Sequence, residues 1–223
     1  MPSAIDTHAA RRLHERGALF IEVLPAEAYH ERHIVGAINI PLANLTDDAV
    51  ADLDRSATVV TYCFDYQCDL SARAAARLVA LGFTDVHDYA PSKEGWIAAA
   101  LAVEGSSDRE TYAIDIARRD VPTCPPSASV GEVREHFEKW PVCVVVDDRR
   151  VVLGAVRPEA AALQPTTKVS AVAQPAPSTV RPSVRIRDLQ RSMREDGKEH
   201  VLVSTYEGVL IGLVRNEDFV AGR

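Results

Sequence analysis

Two cysteines, Cys63 and Cys68, are the residues of this sequence best placed for chemistry. Four residues separate them, and they lie at the joint between the apolar run 59–62 and an alanine-rich, helix-like segment. A thiol at the end of a strand and the start of a helix is well placed to act as a nucleophile. The same loop carries Asp65 and Asp69 but no basic residue. Cys63 is therefore a working nucleophile, one half of a redox pair, or an inert buried thiol.

The spacing of the two thiols also allows redox chemistry. A C-x-x-x-x-C segment around a tight loop can close a disulfide, in which Cys68 would resolve a persulfide or a sulfenate on Cys63. A zinc site needs about four ligands. The sequence shows no CxxC motif or histidine pair beside these thiols, so we expect no metal. Cys124 and Cys143 lie in apolar, strand-like contexts and are expected to be structural.

Composition narrows the class of protein. The chain has 223 residues, 47% of them hydrophobic, which is enough for one large domain or two modest ones. No apolar run reaches the ~18 residues of a membrane span, and the N-terminus lacks the apolar segment of a secretory signal. Four cysteines do not make a disulfide scaffold at this length. We therefore expect a cytoplasmic protein with reduced thiols and no membrane partner.

Charge is distributed unevenly along the chain. Residues 1–105 hold 8 Lys and Arg against 15 Asp and Glu, whereas residues 106–223 hold 17 of each. An acidic first half argues against nucleic acid as a partner, and the asymmetry indicates two separately built units.

The first hundred residues alternate strand and helix patterns, which predicts an α/β domain around a parallel sheet. Val59–Tyr62 is an uninterrupted apolar run, typical of a strand buried on both faces. The segment LANLTDDAVADL predicts a helix capped at Thr46. Further strands are predicted at 19–23, 37–40 and 85–89, and further helices at 26–31, 71–81 and 94–101.

The second half contains an internal repeat. TCPPSASVGEV matches TVRPSVRIRDL, and VVVDDRRVVLGAVRPEA matches VLVSTYEGVLIGLVRNED with one inserted residue. Each copy predicts a βαββα unit with a glycine ending its last strand, and two such units must pack together to bury their sheets. The predicted organisation is a first domain at 1–105, a linker at 106–111, and a second domain at 112–223 with repeats at 112–163 and 169–221.

The first half resembles the rhodanese-like sulfurtransferase domain. The similar segments are LFIEVLPAEAYHERHIVGAINIPLANL, VVTYC followed by SARAAARLVALGF, and GWIAAALAVEG, in the family's order. The resemblance implies that Cys63 is the catalytic cysteine and forms a persulfide. It also implies that backbone amides of the loop cradle this sulfur, supported by the helix dipole. The loop residues so implicated are Phe64, Asp65, Tyr66, Gln67, Cys68 and Asp69.

The loop departs from the family pattern in its charge. It lacks the usual glycine, and Leu70 stands near the expected arginine, which leaves Arg73 as the nearby cation. Asp65 and Asp69 should oppose thiolate formation and repel an anionic donor such as thiosulfate. A small-molecule or protein sulfur donor that is not anionic is therefore expected, with a separate sulfur acceptor.

The repeat of the second half resembles a tandem pair of CBS domains. Gly212, Arg215 and Asp218 lie in the stretch GLVRNED, where the family places a glycine, a phosphate-contacting hydroxyl residue and a ribose-binding aspartate. The resemblance implies an adenosyl site at these three residues with Thr179 and Val180. AMP, ATP and S-adenosylmethionine are the ligands it implies, with no covalent cofactor, and a homodimer formed through the CBS pair.

The leading prediction is a sulfurtransferase or thiol-redox protein that forms a persulfide on Cys63 under the control of an adenosyl ligand. The alternatives are a redox or nucleotide sensor without enzymatic activity that uses Cys63 and Cys68, and a catalytically inactive rhodanese-like regulatory module.

Overall fold

The chain forms two compact units, residues 1–110 and 111–223. The structure, a computed structural model, describes residues 2–106, 111–175 and 177–219. Most of the predicted linker, at 107–110, and the end of the second predicted repeat, at 220–221, lie outside the described residues.

The first unit is built around a five-stranded sheet whose strands all run parallel. The order across the sheet is β1-β6-β5-β2-β4. The strands are β1 (Ser3–Ile5), β2 (Leu19–Glu22), β4 (Ile38–Asn39), β5 (Thr58–Tyr62) and β6 (Asp85–Tyr89), while β3 (His33–Ile34) and β7 (Val103–Glu104) pair separately.

Helices cover this sheet, and capping residues and the spacing of apolar residues determine where they form. Helix α1 (Thr7–Glu15) begins at Asp6, whose carboxylate accepts a hydrogen bond from the Ala9 N–H at 2.7 Å. The other helices of the unit are α2 (Ala26–Glu31), α3 (Leu70–Ala80) and α4 (Ser92–Ala98).

The helix predicted after Pro41 is replaced by two 3₁₀ turns, Leu42–Asn44 and Asp48–Val50. The prediction was wrong because two hydrogen bonds bend the segment. Thr46 N bonds to Asn44 O at 2.9 Å, and the Thr46 hydroxyl accepts from Ala49 N at 3.3 Å. Thr46 thus caps only a short turn.

The two faces of the sheet bury alternate residues of the same strands, as the period of two requires. Ile21, Val59 and Cys63 lie in the cluster on one face, together with the buried side of α3. Phe20 and Tyr62 lie in the cluster on the other face. The carboxyl ends of β2, β5 and β6 therefore meet at one edge, where loops can gather functional groups.

The second unit holds two copies of the predicted repeat. In the first copy, β8 (Thr123–Cys124), β9 (Cys143–Val146), β10 (Val152–Val156) and β11 (Gln174–Pro175) form one sheet. In the second copy, β12 (Thr179–Val180), β13 (His200–Ser204) and β14 (Leu210–Arg215) form another. The helices are α5 (Ala113–Ile116), α6 (Val130–Val133) and α7 (Ile186–Glu195), followed or preceded by 3₁₀ turns.

The glycines predicted to end the last strand of each copy lie inside it. Gly154 falls within β10 and Gly212 within β14. A side chain at Gly212 would place its Cβ 2.6 Å from the carbonyl oxygen of Arg118. Glycine is needed there because the start of the first copy runs against the second copy's strand. Arg118 N donates to Leu213 O at 2.9 Å, and Leu213 N donates to Arg118 O at 3.1 Å.

Candidate active site and ligand clefts

Cys63 is the first residue after β5 and is fully buried. Its Sγ lies 3.2 Å from the carbonyl oxygen of Cys68 and 3.4 Å from the Ser71 hydroxyl. The Ser92 hydroxyl lies 3.6 Å away on another side. A carbonyl of the loop, two serine hydroxyls and the backbone of Ser71 thus face the sulfur, and the cradle of amides from Phe64 to Asp69 stays a prediction.

These surroundings favour the neutral thiol. Burial, followed by a hydrogen bond with the side chain of Cys68, raises the pKa of Cys63 to about 11. Hydrogen bonds from the Ser71 and Ser92 side chains and from the Ser71 backbone act in the opposite direction. The hydroxyls can rotate to donate to a thiolate or a persulfide, so the site can hold the anion once it forms.

Ser92 anchors Cys63 from the first position of α4. The backbone N–H of Cys63 donates to Ser92 Oγ at 3.0 Å, and Ser92 Oγ donates to the carbonyl of Tyr89 at 2.9 Å. Ser92 has a φ of 55°, in the left-handed region that favours glycine. The serine therefore holds a strained backbone at the start of α4.

A buried ion pair fixes the start of α4 to the sheet. Lys93 Nζ lies 2.7 Å from Glu22 Oε1 and donates to the carbonyl of Ala28 at 2.9 Å. Both side chains are almost fully buried. Burial raises the pKa of Glu22 and lowers the pKa of Lys93, and their mutual attraction opposes both shifts. The Glu22 that ends β2 thus has a partner from the turn that carries Ser92.

The loop side chains form an aromatic and acidic mouth above the thiol. Phe64 and Tyr66 are exposed by 38% and 47% of their surface. Asp65 Oδ1 accepts the backbone N–H of Gln67 at 3.0 Å, and Cys68 is half-buried against the core. The loop is fastened to α4 because Phe64 O accepts the Glu94 N–H at 2.9 Å.

Arg73 does not serve the thiol. Its guanidinium lies 3.8 Å from Asp69 Oδ1, one turn earlier in α3, and 62% of the side chain is exposed. The compensating cation that the sequence offered for Cys63 is therefore directed at a loop carboxylate. Among the predicted site residues of the first unit, Cys63, Cys68 and the loop lie together, and Arg73 lies on the outer face of α3.

Asp88, near the end of β6, lies behind Ser71. It is in register with Thr61 of β5, whose hydroxyl is within 3.0 Å of the Ser71 carbonyl. Burial raises the pKa of Asp88, and a hydrogen bond with the Ser71 side chain opposes that rise. Asp88 Oδ1 is buried without a hydrogen-bond partner among the described residues.

Two clefts lie among the described residues of the second unit. One of about 540 Å³ is lined by Arg215 and by Trp140, whose ring lies 4.5 Å from the Arg215 guanidinium. Arg215 Nη2 also donates to the carbonyl of Lys139 at 2.7 Å. The other cleft, of about 470 Å³, is lined by Arg157 and His200. His200 Nδ1 is buried and has no hydrogen-bond partner in the described part of the chain.

The carboxylate of Asp218 forms an ion pair with Arg118. Its Oδ1 accepts Arg118 Nε at 2.8 Å and lies 2.6 Å from Arg118 Nη2, and its Oδ2 accepts the Arg215 N–H at 2.8 Å. The side chain is only 10% exposed. The carboxylate implied to hold a ribose is thus engaged in an ion pair that ties the start of the unit to its last turn.

The remaining predicted ligand residues lie across one sheet. Thr179 and Val180 form β12, which pairs with β13, and Gly212 lies on β14 beyond it. Val180 and Gly212 both face Val203 in the register. Of the predicted ligand set, only Arg215 lines the larger cleft in the part of the chain that the structure describes.

Sequence reasoning missed four residues that shape these sites: Ser71, Asp88, Lys93 and Arg118. Serine and lysine are common in the first turn of a helix, so their presence there does not indicate a functional site. Ser92, which anchors the backbone of Cys63, was likewise not among the predicted site residues.

Comparison with known proteins assigns the first half to a family and matches part of the second half to a domain model. The family model of the rhodanese-like domain matches residues 6–99, and that of the CBS domain matches residues 113–160. A thiosulfate sulfurtransferase GlpE from Pseudomonas savastanoi pv. phaseolicola is 34% identical over 95 residues, which covers 42% of this chain and 86% of that protein. The chain belongs to the rhodanese-like family through its first unit.

Solved structures resemble each half separately. The BH2092 protein from Bacillus halodurans is 30% identical with a TM-score of 0.45, covering 47% of this chain and 78% of its own. A structure of CBSX2 in complex with AMP is 22% identical with a TM-score of 0.44, covering 49% of this chain and 93% of its own. None of the helices in the described ranges has the length and apolar character needed to span a membrane.

Proposed function

We propose that the protein is a sulfurtransferase that carries sulfur as a persulfide on Cys63 and is regulated by an adenosyl ligand bound to its CBS pair. The observation that carries the proposal is the position of the Cys63 thiol. It is buried at the carboxyl end of β5, with the hydroxyls of Ser71 and Ser92 at 3.4 and 3.6 Å, in a domain of the rhodanese-like family.

The transfer occurs in two balanced steps. The Cys63 thiolate attacks the outer sulfur of a donor R–S–SH, an S–S bond forms on Cys63, the donor S–S bond breaks, and R–S⁻ leaves and takes up the proton. An acceptor thiolate then attacks the outer sulfur of the Cys63 persulfide and releases the Cys63 thiolate. Neither step needs an external oxidant, because sulfur moves between thiols.

The loop favours an uncharged or protein-bound donor. Asp65 and Asp69 place two carboxylates on the loop, and Arg73 is directed at Asp69. A thiosulfate dianion would approach these charges without a compensating cation from the loop. The exposed rings of Phe64 and Tyr66 instead offer apolar surface to an alkyl persulfide or to a protein that carries one.

Mass spectrometry of the Cys63 peptide tests this proposal. The protein is treated with thiosulfate, with cysteine persulfide and with inorganic polysulfide, and the added mass of one sulfur atom is sought on each cysteine. We expect the adduct on Cys63 from the persulfide, its absence in Cys63→Ser, and its retention in Cys124→Ser as the matched cysteine control. No adduct on Cys63 from any of the three donors would contradict the enzyme.

Regulation by an adenosyl ligand is supported by the arginines of the two clefts. Arg157 and Arg215 occupy matching positions in the two copies, and each lines one cleft. A guanidinium can grip a phosphate with two hydrogen bonds. AMP and ATP carry such a phosphate. S-adenosylmethionine carries a sulfonium instead and would meet like charge.

Calorimetry with the three adenosyl ligands tests the regulatory proposal. We expect AMP or ATP to bind the full chain, and Asp218→Ala and Arg215→Gln to change the affinity, with Arg149→Gln as an exposed control. The rate of sulfur transfer from cysteine persulfide should change when the ligand is bound. If the ligand binds but the rate of sulfur transfer does not change, the second unit binds a ligand without regulating the first, and the regulatory proposal is wrong.

A redox function remains the second candidate, because the structure brings Cys68 close to Cys63. Cys63 Sγ lies 3.2 Å from the Cys68 carbonyl, and both residues contact one core cluster. In this proposal an oxidised Cys63 is resolved as a disulfide with Cys68. Thiol trapping at controlled potentials would show a Cys63–Cys68 bond, and unchanged oxidation of Cys63 in Cys68→Ser would contradict it.

We further propose a cytoplasmic homodimer assembled through the CBS pair, with no nucleic acid partner. Leu153 and Leu163, both in the first CBS copy, expose 46% and 43% of their surface. Analytical ultracentrifugation of the full chain, with Leu153→Lys as the disrupting variant, should show a dimer that becomes a monomer. If the unsubstituted protein sediments as a monomer, the proposed homodimer is wrong.

A further inference from the structure

His200 and Arg215 lie directly opposite each other on the neighbouring antiparallel strands β13 and β14. Directly opposed side chains of an antiparallel pair lie on the same face of the sheet, with Cβ atoms about 5 Å apart. Both residues also line the larger cleft, of about 540 Å³. His200 lines the smaller cleft as well, together with Arg157. His200 is therefore shared by the two clefts, and each cleft holds one arginine.

Each of the two opposed side chains buries a nitrogen that has no partner. His200 Nδ1 and Arg215 Nε are buried and make no hydrogen bond within the described ranges of the chain. The other nitrogens of Arg215 are engaged, because Nη2 donates to the Lys139 carbonyl at 2.7 Å and Nη1 to Glu217 Oε1 at 3.3 Å. A buried donor without an acceptor is costly. Two such nitrogens on neighbouring side chains of one cleft indicate a site for a group that comes from outside the chain.

That group must be an acceptor, and the surrounding charges favour an anion. Arg215 Nε can only donate, so another donor cannot serve it. The charged groups that line the clefts around His200 are Lys139, Arg157, Lys198, Glu199, Arg215 and Glu217. Two of them form ion pairs at 2.8 and 2.7 Å with residues outside the clefts, Lys198 with Asp196 and Glu217 with Arg118. The others are three cations and one carboxylate. A phosphate group, with several oxygens in a compact shape, can accept from both nitrogens at once.

The free protein disfavours a charged His200. Protonation would add a positive charge to clefts that already hold Arg157 and Arg215, and would leave Nδ1–H buried without an acceptor. Burial, followed by the charge of Arg157, lowers the pKa of His200, and Glu199 opposes this shift. An anion in the cleft reverses the balance, because it offsets the arginine charges and accepts a hydrogen bond from the protonated ring.

We propose that the larger cleft binds a phosphate group together with one proton, which His200 takes up, an inference that rests on the ligand binding proposed above. The Nδ1–H of the charged ring and the Nε–H of Arg215 then both donate to oxygens of the anion. The proton comes from the solvent, and no covalent bond of the ligand changes. Binding weakens by about tenfold per pH unit between the pKa of free His200 and its pKa in the complex. The second unit thus responds to acidity and to ligand concentration together.

NMR titration of the histidine ring protons in the full chain tests the proposal on the unsubstituted protein. The signal of His200 is identified by its loss in His200→Gln. In the free protein we expect its pKa below the ordinary histidine value of about 6.5. AMP and sulfate should each raise that pKa by about one pH unit or more. Sulfate has the shape of phosphate but does not titrate near neutral pH. Adenosine, which lacks the phosphate, should leave the pKa of His200 unchanged.

Calorimetry with AMP across the same pH range compares three substitutions. His200→Gln keeps a polar side chain that takes up no proton, so the loss of affinity with rising pH should be about tenfold smaller than in the unsubstituted protein. His136→Gln removes an exposed histidine of the same unit that lines neither cleft, and should leave the pH dependence unchanged. Arg215→Gln removes the second donor and should abolish the effect of sulfate on His200. The phosphate of AMP titrates equally in every case, so the differences belong to the protein.

Proton uptake and the proposed adenosyl ligand fail separately. If AMP binds and the pKa of His200 stays constant, the proton uptake is wrong and the adenosyl ligand stands. If sulfate raises the pKa of His200 but AMP does not bind, the adenosyl ligand is wrong and the anion site stands. An unchanged pKa with both probes, or an equal rise with adenosine, would overturn the inference.

Discussion

Ser92 holds the backbone of Cys63 through a hydrogen bond of 3.0 Å from the Cys63 N–H to Ser92 Oγ, and does so with a left-handed φ of 55°. A non-glycine residue in that region is strained by about 1–2 kcal/mol. The buried N–H of Cys63 would lose its acceptor if the hydroxyl were removed. Local strain at this position is thus coupled to the placement of the reactive thiol.

Two substitutions at Ser92 separate strain from hydrogen bonding. Ser92→Ala keeps the strain and leaves the Cys63 N–H without its acceptor, so it should destabilise the first unit by about 1–3 kcal/mol. Ser92→Gly also loses the hydroxyl but relieves the strain, so it should be more stable than Ser92→Ala by about 1 kcal/mol. Urea unfolding measures both values, and an alanine variant as stable as the unsubstituted protein would refute the role of the hydroxyl.

The buried pair of Glu22 and Lys93 should be strongly coupled. Removing one partner leaves the other buried without compensation, so Glu22→Gln and Lys93→Met should each cost about 3–5 kcal/mol of unfolding free energy. The double variant should cost clearly less than the sum of the two. Arg55→Gln breaks an ion pair with Asp47 whose carboxylate side chain is 77% exposed, and should cost about 1 kcal/mol or less. Additive effects of the two buried substitutions would show that the pair does not interact.

The carboxylates of the loop should set the choice of sulfur donor. Asp65→Asn combined with Asp69→Asn removes two negative charges beside the mouth, so kcat/KM for thiosulfate should rise several-fold. The gain should shrink at high salt, because it depends on exposed charges. Turnover of a neutral alkyl persulfide should change little, and Asp47→Asn, at an exposed turn, serves as the control. Equal gains for both donors would mean that the charges do not discriminate between them.

Arg118 should compete with a ligand for Asp218. Arg118→Gln frees a carboxylate that is now engaged at 2.6–2.8 Å, so an adenosyl ligand that uses Asp218 should bind about tenfold more tightly. Calorimetry with AMP measures this change, with Arg149→Gln as the matched exposed arginine. Weaker binding of AMP by Arg118→Gln would show instead that the pair is needed to build the cleft.

Asp88 should make the stability of the first unit depend on pH. Burial raises its pKa above the unfolded value of 3.8, so the carboxyl contributes stability below that value and loses it as the pH rises through the folded pKa. Asp88→Asn removes this dependence. The variant should therefore be more stable than the unsubstituted protein at neutral pH, with the difference declining toward pH 3. Parallel stability curves for the two proteins would contradict the burial of the ionised group.

Much of the architecture could be predicted, because the spacing of apolar residues and the order of the sequence motifs determine it. The uninterrupted apolar run at Val59–Tyr62 predicted the central strand, and the alanine spacing after Cys63 predicted α3. The family resemblance placed Cys63 at the joint between them, and the repeat of the second half predicted its two copies.

The chemistry around the thiol could not be predicted, because it depends on contacts between distant segments. Ser92 and Lys93 reach Cys63 and Glu22 across 29 and 71 positions of the chain, and no local pattern signals such pairs. The carbonyl of Cys68 faces the sulfur only because the loop takes this one conformation among many. Long-range polar pairs of this kind are fixed by packing, whereas spacing fixes only the elements that carry them.

The close approach of Arg118 to Gly212 makes the two copies of the repeat structurally dependent on each other. The first segment of the unit, at Arg118, completes the edge of β14, so the opening of copy one is built into the sheet of copy two. The segment at Arg118 can therefore reach its native conformation only after β14, the last strand of the unit, has formed. The pair should consequently unfold in a single cooperative transition, and a gene fragment that encodes either copy alone should yield no folded domain.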